Sequence, residues 1–293
     1  MKRLLAAALA ILIAAAPAMA ASPFAGMSDD DMVASMEAAV KKKTVEPSYV
    51  NAMIGVLNDD AAGVRVRERA AWALGEIKAK TAVPALLKAS EHKGLLIRSA
   101  ALGALERLRP DAAIPVLLNV AENDPVLSLR QRATVWLGLF RSDKTIQSLV
   151  RLSSDEKPEI RGAAALAMGA LQSKRNDFRA ALKEMTSDES SYVKDRAEAA
   201  LDTAIGATPN VLSQLKSTDS DIRLMAALYF DKAGGKRELE VLKDAWNTDP
   251  DDDVRDELSR AIVSTKKRVA LEKKRAAQKK AAAKAKKAGA AGS

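Results

Sequence analysis

The sequence repeats itself at intervals of 29 to 33 residues, and this period constrains the fold more than any other feature. The string VRERAAWALG begins at Val66 and returns six times, as IRSAALGALE, LRQRATVWLG, IRGAAALAMG, VKDRAEAALD, IRLMAALYFD and VRDELSRAIV. The second residue of every copy is basic, and the successive spacings between these residues are 31, 32, 31, 33, 29 and 32. A period of this length indicates one stacked supersecondary unit per repeat.

Each copy has the spacing of an amphipathic helix, and a second short apolar helix precedes it. In the first copy Val66, Ala70, Ala73, Leu74 and Ile77 fall on one stripe. The chain is 48% hydrophobic but only 3% aromatic, which suits closely packed helices. One hairpin cannot bury its apolar face alone, but stacked hairpins can. The sequence therefore predicts an all-α fold, an α-solenoid of about seven helical hairpins.

These repeats resemble the HEAT repeat, in particular the short HEAT-like variety found in phycobilisome lyases. The resemblance covers residues 48–263. That family places an aspartate in the turn before the second helix and a basic residue six positions later. Four copies keep this spacing, as Asp124/Arg130, Asp155/Arg161, Asp188/Lys194 and Asp249/Arg255.

The resemblance implies that these side chains form a structural ladder between adjacent repeats, with ligand binding as the alternative. Three copies depart from the pattern. Asp60 lies seven residues before Arg67, His92 occupies the place before Arg98, and Asp219 lies four before Arg223. The expected ladder comprises Arg67, Arg98, Arg130, Arg161, Lys194, Arg223, Arg255, Asp124, Asp155, Asp188 and Asp249.

The N-terminal residues predict export. Residues 1–20 have a basic start, an apolar run from Leu4 to Ala16 and an Ala18-Met19-Ala20 ending, as in a secretory signal cleaved after Ala20. The chain contains no cysteine, so no disulfide stabilises it. We therefore expect a periplasmic or secreted protein that is not transmembrane.

Residues 21–47 are expected to form a linker and a capping helix. Ser28 is placed to cap that helix, and its apolar residues would cover the open face of the first hairpin, as solenoids require. Those apolar residues are Met32, Val33, Met36 and Val40.

Residues 264–293 form a basic C-terminal tail with a net charge of +10, whereas residues 21–263 carry −3. The segment is rich in lysine and alanine and shows no apolar stripe, so we expect an exposed, partly helical extension. Its charge favours binding to an anionic envelope lipid or polymer. The basic residues are Lys266, Lys267, Arg268, Lys273, Lys274, Arg275, Lys279, Lys280, Lys284, Lys286 and Lys287.

Catalytic and cofactor motifs are scarce. His92 is the single histidine, so one chain cannot build a multi-histidine metal site, and a Ser-His-Asp triad would have to use this predicted turn residue. No phosphate-binding glycine loop occurs. Asp249, Asp251 and Asp253 match three ligand positions of a calcium loop, but Val254 and Arg260 replace the required Gly and Glu. The sequence thus predicts an Asp-rich helix cap there, no cofactor and no metal.

One position on the second helices is apolar where a solvated face would be charged. Six residues after the aliphatic start, on the side that is concave in the resembled family, stand Trp72, Val135, Leu166 and Leu228. Gly103, Ala199 and Arg260 occupy this position in the other copies. The residues either fill contacts between neighbouring repeats or line a groove for an apolar or extended peptide.

The leading functional hypothesis is a non-enzymatic protein-interaction scaffold. Its concave face would hold a protein or peptide, and its tail an anionic envelope surface. The first alternative is nucleic-acid or polyanion binding through the tail; the acidic body and the export signal make nucleic acid the weaker choice. The second alternative is an enzyme or enzyme accessory of unrecognised type.

Overall fold

The computed structural model describes residues 22–42, 45–171 and 176–290, and these form helices and turns with no strand among them. The predicted signal peptide lies outside the described residues. By chain contacts the protein divides into two compact units, one ending at Ala113 and the other beginning at Ile114.

The first unit holds the N-terminal helix and two hairpins. Hairpin α2/α3 and hairpin α4/α5 stack through both their first and their second helices, and α1 packs on α3. Short 3₁₀ turns, Lys80–Ala82 and Asp111–Ala113, follow α3 and α5. The helices are α1 Asp29–Lys42, α2 Pro47–Asn58, α3 Val64–Glu76, α4 Val83–Ala89 and α5 Leu95–Leu108.

The second unit holds five more hairpins, α6/α7 to α14/α15. Within each of them the two helices pack against each other, and the second helices also stack in chain order. The helices are α6 Ile114–Asn123, α7 Leu127–Leu137, α8 Asp143–Leu152, α9 Pro158–Ala170, α10 Asn176–Met185, α11 Ser191–Ile205, α12 Thr208–Gln214, α13 Ser220–Ala233, α14 Leu239–Thr248 and α15 Asp252–Ala290. The predicted all-α solenoid of stacked hairpins is confirmed.

Helix α1 covers the first hairpin through its apolar side. Val33 and Met36 are buried, whereas Met32 and Val40 are half-buried. The Ser28 Oγ accepts a hydrogen bond from the Asp31 N–H at 3.2 Å, which is the predicted N-cap. The helix thus supplies the apolar partner that α3 would otherwise lack.

Glycine at the tenth position of a copy sets how closely the second helices approach. A Cβ on Gly75 would stand 2.7 Å from the Cα of Ala104, and one on Gly169 would stand 2.8 Å from the Cα of Ala200. Such distances are shorter than side chains tolerate, so only glycine allows these backbones to touch. The recurring glycine in the repeat is therefore explained by helix packing.

Candidate functional site

The turn before each second helix in the second unit is closed by an aspartate. A carboxylate oxygen of Asp155, Asp188 and Asp249 accepts the backbone N–H two residues further on, at 2.9, 2.9 and 3.0 Å. The arginines six residues after two of these aspartates donate back to the carbonyl of the same aspartate, Arg161 to Asp155 at 3.0 Å and Arg255 to Asp249 at 2.5 Å. The spacing of six therefore closes a turn within one repeat.

The same carboxylates also receive the arginine of the preceding repeat, and these contacts are the rungs of the ladder. Two rungs are bidentate, a geometry that the planar guanidinium supports and a lysine ammonium does not. The rungs, with their shortest N–O distances, are Arg130–Asp155 at 2.6 Å, Arg161–Asp188 at 2.8 Å and Arg223–Asp249 at 2.8 Å.

Lys194 does not form the expected rung, and Arg196 takes its place. The guanidinium of Arg196 lies 2.5 Å from Asp219 and 2.7 Å from Asp221, with only 5% of its side chain exposed. Asp219 also accepts the N–H of Asp221 at 2.9 Å, so it closes its turn like the other aspartates. The guanidinium can contact both carboxylates at once, which a lysine ammonium does less well. This explains why Arg196, and not Lys194 two residues earlier, forms the rung.

Burial raises the pKa of the ladder carboxylates and hydrogen bonds lower it, and the net effect at Asp188 and Asp249 is a lowered pKa. The hydrogen bonds from Arg161 are the main cause that lowers the pKa of Asp188, against the opposing effect of burial. Burial is the largest influence at Asp249 and would raise its pKa, but hydrogen bonds from Arg223 and the Asp251 N–H bring it below the ordinary value. Both aspartates are thus held ionised in the fold.

The turn between α4 and α5, in the first unit, departs from this pattern at the predicted turn residue His92. The His92 Nδ1 accepts the Gly94 N–H at 2.9 Å, and Arg98 donates to the carbonyls of His92 and Lys93 at 2.9 and 3.2 Å. These are the backbone contacts that an aspartate makes in the second unit. The imidazole therefore closes the turn, but it offers no carboxylate oxygen to the preceding repeat.

The arginine of that preceding repeat is Arg67, and it is left with a poorer partner. Its Nη2 lies 3.0 Å from a carboxylate oxygen of Asp60, whose side chain is 87% exposed. Its Nε donates to the carbonyl of Leu57 at 3.1 Å. A cleft of about 680 Å³ opens beside this arginine. Its lining residues are Leu57, Asn58, Asp60, Arg67, Lys88, Ala89, Glu91, His92 and Lys93.

In the second unit, the second helices pack closely on one another at two of the predicted groove positions, those of Leu166 and Leu228. Helices α9 and α13 pack together although a whole repeat separates them, and the Lys232 ammonium donates to the carbonyl of Ala170 at 3.0 Å. Leu166 and Leu228 are only 1% and 4% exposed. These two residues fill the packing between helices, so the interpretation of them as partner-contacting side chains is corrected.

Tyr192 shows how tightly this face is filled. A Cβ on Gly162 would stand 2.6 Å from the Tyr192 ring, and the Arg196 guanidinium lies 3.7 Å from the ring centroid on α11. The Tyr192 hydroxyl accepts a hydrogen bond from Gln131 of α7 at 2.9 Å. Burial is the main cause that raises the pKa of Tyr192 to about 12. The phenol therefore stays neutral and serves as packing.

Trp72 and Val135 are half-buried and keep part of their surface in solvent. The guanidinium of Arg69 lies 4.8 Å from the centroid of the Trp72 ring, within the range of a cation–π contact. Each residue lies in a different unit. Of the four predicted groove residues, these two alone offer a partner any apolar surface.

The long helix α15 has an anchored beginning and a free continuation. Val254, Leu258 and Ala261 are buried against the last two hairpins. Asp251, expected in an Asp-rich cap, accepts the N–H groups of Asp253 and Val254 at 2.9 and 3.1 Å. The Asp-rich segment caps the helix, and its Asp249 also supplies a ladder carboxylate.

Arg268 belongs to the anchored part, which corrects its assignment to the anion-binding tail. Its guanidinium donates to the carbonyls of Phe230, Asp231 and Gly234 at 2.8, 2.5 and 2.9 Å, at the C-terminal end of α13. A helix C-terminus presents unpaired carbonyls and a partial negative charge, which the half-buried guanidinium of Arg268 satisfies. Arg268 is thus a structural clamp.

From Ala270 to Lys279 the side chains of the helix face solvent. These exposed residues include Lys273, Lys274, Arg275 and Lys279. Lys266 and Lys267 are also exposed, one turn earlier. The structure therefore presents the tail charges on a helix that extends the last hairpin.

Neither a metal site nor a membrane span is found in the part of the chain that the structure describes. No group of three or more His, Asp or Glu side chains there could hold a metal ion. No helix among the described residues is long and apolar enough to cross a membrane.

Comparisons with known proteins agree with the helical repeats. The family model described as HEAT repeats matches residues 50–135 and 114–202. No curated protein matches the chain. Solved structures resemble it at low identity: YibA of Escherichia coli, at 18% identity and a TM-score of 0.46, covers 82% of this chain and 93% of its own. The complex of CpcE and CpcF of phycocyanin lyase from Nostoc sp. PCC7120, at 19% identity and a TM-score of 0.42, covers 81% and 94%.

Proposed function

Because the chain belongs to the HEAT repeat family, we propose that it is a non-enzymatic scaffold that binds a protein or peptide partner outside the cytoplasm. The sequence supports this with an N-terminal export pattern and with a single histidine and no cysteine for catalysis. HEAT repeats stack helical hairpins into an extended surface, which suits a binding role. In this proposal the body holds the partner and the tail holds an anionic envelope surface.

The free half of α15 is the observation that carries the tail part of the proposal. Arg268 and the buried residues before it fix the helix to the last hairpins, so the charges that follow sit on an anchored arm. Lys273, Lys274 and Arg275 make one consecutive basic triplet, and all three are exposed. An exposed helix that is basic on all sides attracts anionic lipids at about 1 kcal/mol for each charge near the surface.

Vesicle sedimentation tests the tail. We expect the protein to bind vesicles that contain anionic lipid and to lose this binding when residues 270–293 are removed. The truncation keeps the buried Thr265 and also Arg268, which donates to a carbonyl of α13. The melting temperature should therefore not change. Binding should also weaken as salt rises, because the Debye length falls from about 10 Å at 0.1 M to about 3 Å at 1 M.

A variant with fewer tail charges is the matched control for the truncation. Replacing Lys273, Lys274, Arg275 and Lys279 with Gln keeps the helix propensity and removes four exposed charges. Vesicle binding should fall without loss of helix content. Full binding by this variant, or equal binding to neutral vesicles, would contradict an electrostatic tail.

Nucleic-acid binding through the tail is the second candidate, since the same charges would track phosphates. A duplex DNA arm in the same experiment separates the two. Binding to DNA that exceeds binding to anionic vesicles, in protein recovered from the cytoplasm with Met1 retained, would favour this second candidate. Recovery of a chain that starts at Ala21 in the envelope fraction would support the scaffold.

A further inference from the structure

The cleft beside Arg67 is the place where the ladder lacks a carboxylate. Arg161 and Arg223 each have a bidentate aspartate from the next turn. Arg67 stands at the same position of its repeat, but the next turn supplies His92 instead of aspartate. His92 accepts the Gly94 N–H through Nδ1, as an aspartate would, but it offers no carboxylate to the arginine of the preceding repeat.

Asp60 satisfies Arg67 poorly. The Arg67 side chain is 9% exposed, but that of Asp60 is 87% exposed, and one contact of 3.0 Å joins them. In the rung Arg223–Asp249 the corresponding exposures are 9% and 3%. An exposed ion pair contributes little because solvent screens it and because holding the side chain costs entropy. A carboxylate that enters the cleft can therefore replace Asp60 at small cost.

The rest of the cleft supplies further positive charge. Lys88 and Lys93 line it, both side chains are exposed, and neither forms an ion pair with any described residue. Asp60 and Glu91 are the acidic lining residues, so the basic groups outnumber them. The planar guanidinium of Arg67 suits a carboxylate, and the two exposed lysines add positive charge beside it.

We propose that this cleft binds an acidic peptide segment, with an aspartate or glutamate side chain completing the missing rung on Arg67. The inference rests on the proposed scaffold function and names the chemistry of the partner. A volume of about 680 Å³ holds a few side chains and lies in the usual range for ligand clefts. Lys88 and Lys93 then contact neighbouring carboxylates of the same segment.

His92 provides a local probe, because it is the single histidine of the 293 residues. The imidazole C–H signals in a proton NMR spectrum of the untagged protein therefore report this cleft alone. Titration with the blocked peptide acetyl-Asp-Glu-Asp-Glu-amide should shift them saturably. The tail-truncated variant, which lacks residues 270–293, should show the same shift, because tail binding leaves the cleft untouched.

Replacing His92 with Asp is the decisive variant. It supplies the absent carboxylate from within the chain, so Arg67 gains its rung, the melting temperature rises, and affinity for the peptide falls by about thirtyfold or more. His92→Asn is the matched control, since its side-chain oxygen can accept the Gly94 N–H without adding charge. This control should bind the peptide as the wild type does; both variants are followed by calorimetry or fluorescence anisotropy.

Three results would overturn the inference. Peptide binding that leaves the His92 signals unmoved would assign it to another surface. Equal peptide affinity in His92→Asp and His92→Asn would show that the rung is not the site. Glutarate that moves the signals as potently as the peptide would assign the cleft to a small carboxylate. None of these results affects vesicle binding by the tail, so the scaffold proposal is judged separately.

Discussion

The ladder has closed rungs in the second unit and an open one in the first, although the same residue type stands at the same position of the repeat. Arg223 and Asp249 are both nearly buried and join through two hydrogen bonds. Arg67 is equally buried, yet its carboxylate partner Asp60 stands in solvent. The same arginine of the repeat therefore has a buried carboxylate partner in one place and only an exposed one in the other, and the two should contribute differently to the stability of the stack.

Breaking a closed rung should have the largest effect. Arg223→Met removes the guanidinium that faces Asp249, so a nearly buried carboxylate loses its partner. Removing one member of a buried pair costs about 3 kcal/mol. It also leaves the carbonyls of Ser217 and Thr218 without their donor. Urea unfolding followed by circular dichroism measures the loss.

The matched control for this prediction is Arg255→Met. Arg255 occupies the same position of the last repeat, but its carboxylate contact is Asp252, which is 89% exposed. We expect a clearly smaller loss from this variant. Equal losses would show that the carbonyl contacts, and not the buried rung, account for the stability.

The pH dependence of the free energy of unfolding should report the closed rung between Arg161 and Asp188. The pKa of Asp188 is lowered in the fold, mainly by hydrogen bonds from Arg161, and is about 3.9 in an unfolded chain. The unfolded state therefore binds more protons, so stability is full above about pH 4 and falls as the pH drops toward the folded pKa. Asp188→Asn should lose about 1–2 kcal/mol at neutral pH. Its free energy of unfolding should depend less on pH below 4, as measured by urea titrations at several pH values.

Asp60→Asn is the corresponding control in the open rung. Its carboxylate is 87% exposed, so its removal should not change the stability at neutral pH to a measurable extent. A loss of stability as large as that of Asp188→Asn would contradict the distinction between the two kinds of rung.

The repeat was predictable from the sequence because its period rests on local pattern. Aliphatic stripes and recurrent basic residues specify helical hairpins whatever the surroundings. Lys194 was misassigned for a different reason. Two basic side chains of α11 could contact Asp219. The length and planarity of the side chain and the placement of the two helices decide between them, and residue spacing does not reveal these. Arg196 stands two residues further on, and its fork geometry was the available signal.

The apolar inner position shows a second limit of the sequence. Leu166 and Trp72 share a place in the repeat, but the first is buried and the second half-exposed. Leu166 lies on α9, which contacts α13, and this long-range approach has no signature in a single repeat. Arg268 was assigned to the tail for a similar reason, since its partners are backbone carbonyls of another helix. His92 was recognised as an exception, but the cleft beside it required the structure.

Of the two arginines compared, Arg67 should contribute less to stability than Arg223, and Arg67→Met tests the comparison most directly. The variant loses the hydrogen bond to the carbonyl of Leu57 and one contact with Asp60, whose carboxylate returns fully to water. Methionine keeps most of the apolar stem that packs in the turn. The loss should be about 1 kcal/mol, well below that of Arg223→Met, in the same urea assay. If the two losses are equal, Arg67 is committed to the fold and is not free to bind a carboxylate.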